Sequence, residues 1–108
     1  MTTFDDREKA FEAKYEHDEQ LKFKVNSRRN KLLGLWAAGL LGKTGADAEA
    51  YAKEVVMADF ERPGDSDVIE KLMKDFAAAG KPMEDHTIRK QSEHLAGEAK
   101  KQLMAEVR

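Results

Sequence analysis

The sequence predicts an all-α protein: an antiparallel four-helix bundle with a long first helix and a partly disordered N-terminal arm. Three observations lead there. Charged residues make up 37% of the 108 positions and aromatics 7%, a balance short of the β-branched and aromatic residues that sheets need. Apolar residues recur at helical spacing along most of the chain. Both prolines and four of the seven glycines fall between the periodic stretches, at Gly42, Gly45, Pro63–Gly64, Gly80 and Pro82, where they punctuate helices rather than interrupt them. A chain of this length is one domain, divided here into an arm, residues 1–20, and a bundle, residues 21–108.

The first helix is expected from about Asp5 to Leu41, capped by Thr3, with Asp5, Asp6 and Glu8 at the positive end of its dipole. Phe4, Phe11, Tyr15, Val25, Leu32 and Trp36 mark a thin apolar stripe with charged gaps at Asp18, Lys22 and Arg29. So thin a stripe holds the first twenty residues weakly, and the arm is expected to order when a partner covers Phe4, Phe11 and Tyr15. The alternative is that it folds back onto its own bundle. From Leu32 to Leu41 apolar side chains face several directions, which makes this segment the central post. Gly34 and Gly39 each cost about 1 kcal/mol of helix propensity relative to Ala, so both are expected to admit a neighbouring helix. Gly42 ends the helix.

The second helix is expected from Ala46 to Phe60, burying Tyr51, Ala52, Val55, Val56 and Phe60. Arg62–Pro63–Gly64–Asp65 breaks it, and Asp65 or Ser66 caps the third. That helix presents Val68, Ile69, Leu72, Met73 and Phe76, an i, i+3, i+4 set, and stops at Gly80. The last helix starts near Met83–Asp85 and presents Ile88, Leu95, Ala99 and Leu103. Lys100, Lys101 and Arg108 suit its negative end.

Cysteine is absent, which excludes disulfides and thiolate metal sites. The run Leu32–Leu41 is too short to span a bilayer, and the N-terminus lacks the pattern of a secretory signal. A cytoplasmic protein without direct membrane insertion is the expectation. The net charge of −2 hides an asymmetry. Residues 1–20 carry Asp5, Asp6, Glu8, Glu12, Glu16, Asp18 and Glu19 against Arg7, Lys9 and Lys14. Residues 21–31 carry Lys22, Lys24, Arg28, Arg29 and Lys31 and no acid. The two blocks suit internal charge pairs, a solvated face, or contact with a charged protein surface. The basic block is too short, and too close to acids, for nucleic acid.

Reaction chemistry is not indicated. His86 and His94 are two helical turns apart and cannot ligate one metal together. His17, among Glu16, Asp18 and Glu19, reads as an ordinary exposed histidine. The carboxylate pairs lie at helix N-termini, where they serve the dipole. Gly42–Lys43–Thr44 has the tail of a phosphate loop without its leading glycine or its strand. The chain is therefore read as a non-enzyme without a resident cofactor. A secondary expectation is weak adenine-nucleotide binding beside Arg29 and Trp36. It belongs to an alternative reading, a nucleotide- or metabolite-sensing bundle.

Two segments go further. Phe4–Asp5–Asp6–Arg7–Glu8–Lys9–Ala10–Phe11–Glu12 and Arg28–Arg29–Asn30–Lys31–Leu32–Leu33–Gly34–Leu35–Trp36–Ala37–Ala38 resemble the zeta subunit of alphaproteobacterial F-type ATP synthases, Paracoccus-type. Tyr51–Ala52, the turn at residues 62–65 and the helix from Val68 to Phe76 fit the same family. The resemblance implies a four-helix bundle whose N-terminal region enters a catalytic α/β interface of the synthase head and reaches toward the γ subunit. It implies that rotation is blocked in the hydrolysing direction while synthesis is spared. It also implies a place peripheral to the inner membrane, through the synthase. Mapped onto this chain, Phe4, Phe11 and Tyr15 become the apolar anchors of the arm. Asp5, Arg7, Glu8, Lys9 and Glu12 become its polar contacts.

Overall fold

The computed structural model describes residues 3–61 and 65–106. It contains five helices: α1 (Thr3–His17), α2 (Glu19–Leu40), α3 (Gly45–Glu61), α4 (Asp65–Ala78) and α5 (Asp85–Glu106). No strand occurs among the described residues. The all-α class holds, with five helices where four were expected.

The extra helix comes from a break at Asp18. Its backbone sits at φ −107°, ψ 104°, outside the helical region. Its carboxylate accepts the N–H groups of Gln20 at 3.0 Å and Leu21 at 3.1 Å. Those are two of the donors that the first turn of a helix leaves orphaned. The same residue closes α1, since its N–H donates to the Lys14 carbonyl at 2.9 Å. One aspartate therefore divides the single helix expected from Asp5 to Leu41.

The main core joins α2, α3, α4 and α5. Leu33, Ala37, Tyr51, Val55, Leu72, Phe76 and Ile88 are buried in it. α2 lies against both α3 and α5, and α4 packs on the same two helices. The α4 face is as expected: Val68, Ile69, Leu72 and Phe76 are buried, with Met73 packed beside them. α2 and α3 meet closely at Gly34, where an added Cβ would stand 2.7 Å from the Ala52 Cα. Gly39 was expected to do the same. It does not, for nothing lies within 4 Å of the corresponding Cβ position.

Two helices end in the same way. Gly42 has φ 80°, the Lys43 N–H donates to the Ala38 carbonyl at 2.8 Å, and the Gly42 N–H donates to Gly39 at 3.2 Å. Gly80 at φ 74° repeats the pattern with Lys81 to Phe76 and Gly80 to Ala77. Both are Schellman ends, which require a left-handed residue that glycine adopts without strain. The expected breaker at residues 62–64 and the side chains of Phe60, Asp65 and Ser66 lie outside the described residues.

A second, smaller core sits apart from the first. Phe11 from α1, Leu21 and Val25 from α2, and Ala99, Leu103 and Met104 from α5 form it, with Tyr15 and Leu32 at its edge. This core positions the candidate site. No described helix is long and apolar enough to cross a membrane.

Candidate functional site

α1 was expected to reach away from the bundle. It lies instead against α2 and α5. The reason is the break at Asp18. A continuous helix would have carried Phe11 and Tyr15 along the line of α2 and past its neighbours. The turn lets Phe11 and Tyr15, one helical turn apart, meet the face of α5 that Leu21 and Val25 already contact.

The docked face is small and mixed. Phe11 is 8% exposed, and its burial contributes roughly 1.5–3 kcal/mol. The Lys100 ammonium stands over the Tyr15 ring, 4.3 Å from its centroid. The same ammonium lies 3.5 Å from the Glu12 carboxylate. At such exposed positions the first contact contributes about 0.5–1 kcal/mol and the second about 0–1 kcal/mol. Elsewhere on the helix, among the described side chains, Asp6, Glu8, Lys9, Ala13, Lys14, Glu16 and His17 are all exposed. α1 is thus held by a few kcal/mol at one face, and a single non-helical residue joins it to the bundle. Low local stability of this kind belongs to elements that open separately from the core.

The sequence-derived arm residues divide accordingly. Phe11, Glu12 and Tyr15 come together on the docked face. Glu8 lies on the same stripe one turn earlier and is exposed, and Lys9 is exposed on its flank. The side chains of Phe4, Asp5 and Arg7 lie outside the described residues. The two residues considered for ligand contact are engaged within the fold. Trp36 packs edge-on against Phe76, with ring centroids 5.9 Å apart at 71°. Arg29 donates from Nε and Nη2 to Oδ1 of the buried Asn30, at 3.3 and 3.2 Å.

Two residues of the site were missed in the sequence. Lys100 had been assigned only to the helix dipole, because nothing in the sequence links it to Tyr15 and Glu12. Asp18 had been read as a charged gap in the stripe. An aspartate followed by a glutamate and two residues later by an apolar one is a cap signature, but a weak one where no glycine or proline accompanies it.

What the arrangement offers is shape and charge: a charged helix, one apolar face covered by the chain's own last helix, and a one-residue joint. A solved solution NMR structure is 46% identical to this chain and superposes with a TM-score of 0.71, over 81% of this chain and 99% of that one. No curated protein matches. The family model for ATPase inhibitor subunit zeta matches residues 1–102. With nearly its whole length so matched, the chain belongs to the ATPase inhibitor subunit zeta family.

Proposed function

We propose that this chain inhibits ATP hydrolysis by the F-type ATP synthase by inserting α1 into a catalytic α/β interface of the head, against the γ subunit. The observation that carries the proposal is the joint at Asp18, which makes α1 a separable helix on a firmly packed base. Inhibition on this reading is steric. The helix fills an interface that must close for hydrolysis to proceed, and no bond is made or broken by the inhibitor. α2–α5 remain outside the interface as the base, and the protein is cytoplasmic, held at the inner membrane through the synthase.

The docked state sets a condition on the mechanism. Phe11, Glu12 and Tyr15 cannot contact the head while they contact α5, so α1 must leave α5 before its apolar face engages. If leaving costs about 3 kcal/mol, the apparent affinity for the head falls by roughly 100-fold relative to a free arm. An interface of micromolar or better intrinsic affinity, about −8 kcal/mol, still exceeds that cost.

Glu8 is exposed in the docked state and sits within the arm, so it tolerates a probe. A photo-crosslinking residue at position 8, irradiated in the presence of the synthase head, is expected to give adducts with the α or β subunit. Adducts confined to other subunits, with binding intact, would refute insertion.

A further inference from the structure

The basic block at residues 21–31 is only partly neutralised among the described residues. Its acidic neighbour in sequence suggested internal pairing, yet the break at Asp18 places the two blocks on different helices. Lys22 reaches Glu19 at 3.5 Å. Arg28 is held on α5 by Glu106 and Gln102. Lys24 and Lys31 are exposed and make no ion pair among the described residues. They share a face of α2 with Phe23 and Ser27, at spacings of three and four.

That face is a trough. A hollow of about 730 Å³ runs along it, lined by Phe23, Lys24, Ser27 and Lys31, with Val56 of α3 on one wall and Leu103 of α5 on the other. Lys14 of α1 adds a further positive charge to its lining. Two acids, Asp18 and Glu106, also line it, Glu106 being paired with Arg28, so Lys24 and Lys31 leave the trough positive even when Lys14 departs with α1. Lys31 and Val56 also line a second hollow of about 520 Å³ on the α2–α3 seam, which adds Lys53 and one acid, Glu49. Phe23 is 52% exposed, a large aromatic beside the cationic side chains. From Gln20 to Lys31 the face is about 17 Å long at 1.5 Å per residue, close to three turns of a partner helix.

From this geometry we infer that the trough docks an acidic segment with an apolar face, belonging to the synthase head, and that it anchors the bundle independently of α1. The inference rests on the proposed function for the identity of the partner. Charge complementarity selects the occupant. The chain as a whole carries −2, but at physiological salt charges act over about 8 Å, so Lys24 and Lys31 dominate what approaches α2. Val56 and Leu103 give apolar walls for the partner's apolar side chains, and Phe23 gives them a ring to pack against.

The test compares full-length variants binding to purified synthase head over a series of salt concentrations. K24E/K31E changes two exposed positions and is expected to melt like the native chain, while its affinity falls at least about tenfold and its salt dependence flattens. F23A is expected to lose affinity with the salt dependence retained. K74E/K90E reverses two exposed lysines on α4 and α5, away from the trough, and is expected to bind and inhibit as the native chain does. Native affinity in K24E/K31E overturns the trough while leaving the inhibitory arm standing. An equal loss in K74E/K90E also overturns it, in favour of general charge attraction. A native chain that does not bind the head overturns the proposed function, and the trough's assigned partner with it.

Discussion

Lys100 stands over the ring of Tyr15 at 4.3 Å and reaches Glu12 at 3.5 Å, and through this one side chain the last helix holds the first. Lys100→Ala removes both contacts and leaves Phe11 in place. The docking of α1 is expected to weaken by about 1 kcal/mol, which is roughly a fivefold increase in amide exchange over residues 8–17. Exchange in α4 should be unchanged. Unaltered exchange in α1 would mean that Phe11 alone holds it.

Gly34 and Gly39 look alike in sequence and should respond oppositely to alanine. At Gly34 the new Cβ meets backbone at 2.7 Å, and separating α2 from α3 there costs about 1–3 kcal/mol. Gly39 faces open space within α2, so Gly39→Ala should gain up to about 1 kcal/mol from helix propensity. Urea denaturation of both variants checks the sign of each.

How much of this was legible in the sequence differs from helix to helix. α4 was readable because Val68, Ile69, Leu72 and Phe76 repeat at one period and all are buried. The ends at Gly42 and Gly80 were readable because only glycine takes the left-handed residue of a Schellman end cheaply. The break at Asp18 was hidden. A charged residue in a sparse stripe and a helix-capping residue are the same letter, and only the contacts to Gln20 and Leu21 separate them. Docking of α1 stood only as the alternative reading, for a related reason. Periodicity was counted through Asp18 as if the helix were continuous, so Phe11 and Leu21 were not seen to share a partner in α5. Met104, buried beside them, was missed with it. Of the candidate arm, the sequence supplied the residues and the resemblance supplied their role, while the tertiary contact with Lys100 had no local signal.

The Arg28–Glu106 pair predicts a pH dependence. Two hydrogen bonds from the guanidinium, at 2.8 and 3.0 Å, hold the Glu106 carboxyl below its ordinary value of 4.5 against the opposing effect of desolvation, and the charge of Arg28 adds to the lowering. A depressed carboxylate contributes stability above its unfolded value and loses it as pH falls through its folded value. The melting temperature of the native chain should therefore exceed that of Glu106→Gln at pH 7. The gap should narrow as pH falls below 4.5 and close once Glu106 is protonated in both states. A gap independent of pH would show that the carboxylate contributes nothing through its charge.

Tyr51 joins α3 to α4. Its hydroxyl donates to Asp75 Oδ2 at 2.6 Å, and burial, with that hydrogen bond second, pushes its ionisation far above the ordinary range. Tyr51→Phe leaves Asp75 with Lys71, at 3.0 Å. A hydrogen bond to a charged acceptor contributes about 1.5–3 kcal/mol, but Asp75 is partly exposed and water replaces some of the loss. A destabilisation of about 1 kcal/mol by urea denaturation is expected, with the fold retained.

The measurement closest to the central claim is ATP hydrolysis by an alphaproteobacterial synthase head freed of its own zeta subunit, with the intact chain or a chain lacking residues 1–15 added at equal concentration. Deletion removes α1 up to Tyr15 and leaves the main core of α2–α5 untouched. Hydrolysis should fall with the intact chain and stay at its uninhibited rate with the shortened one, while circular dichroism shows the shortened chain still helical. Equal inhibition by a folded, shortened chain would contradict the account, because the inhibitory element would then lie in the bundle.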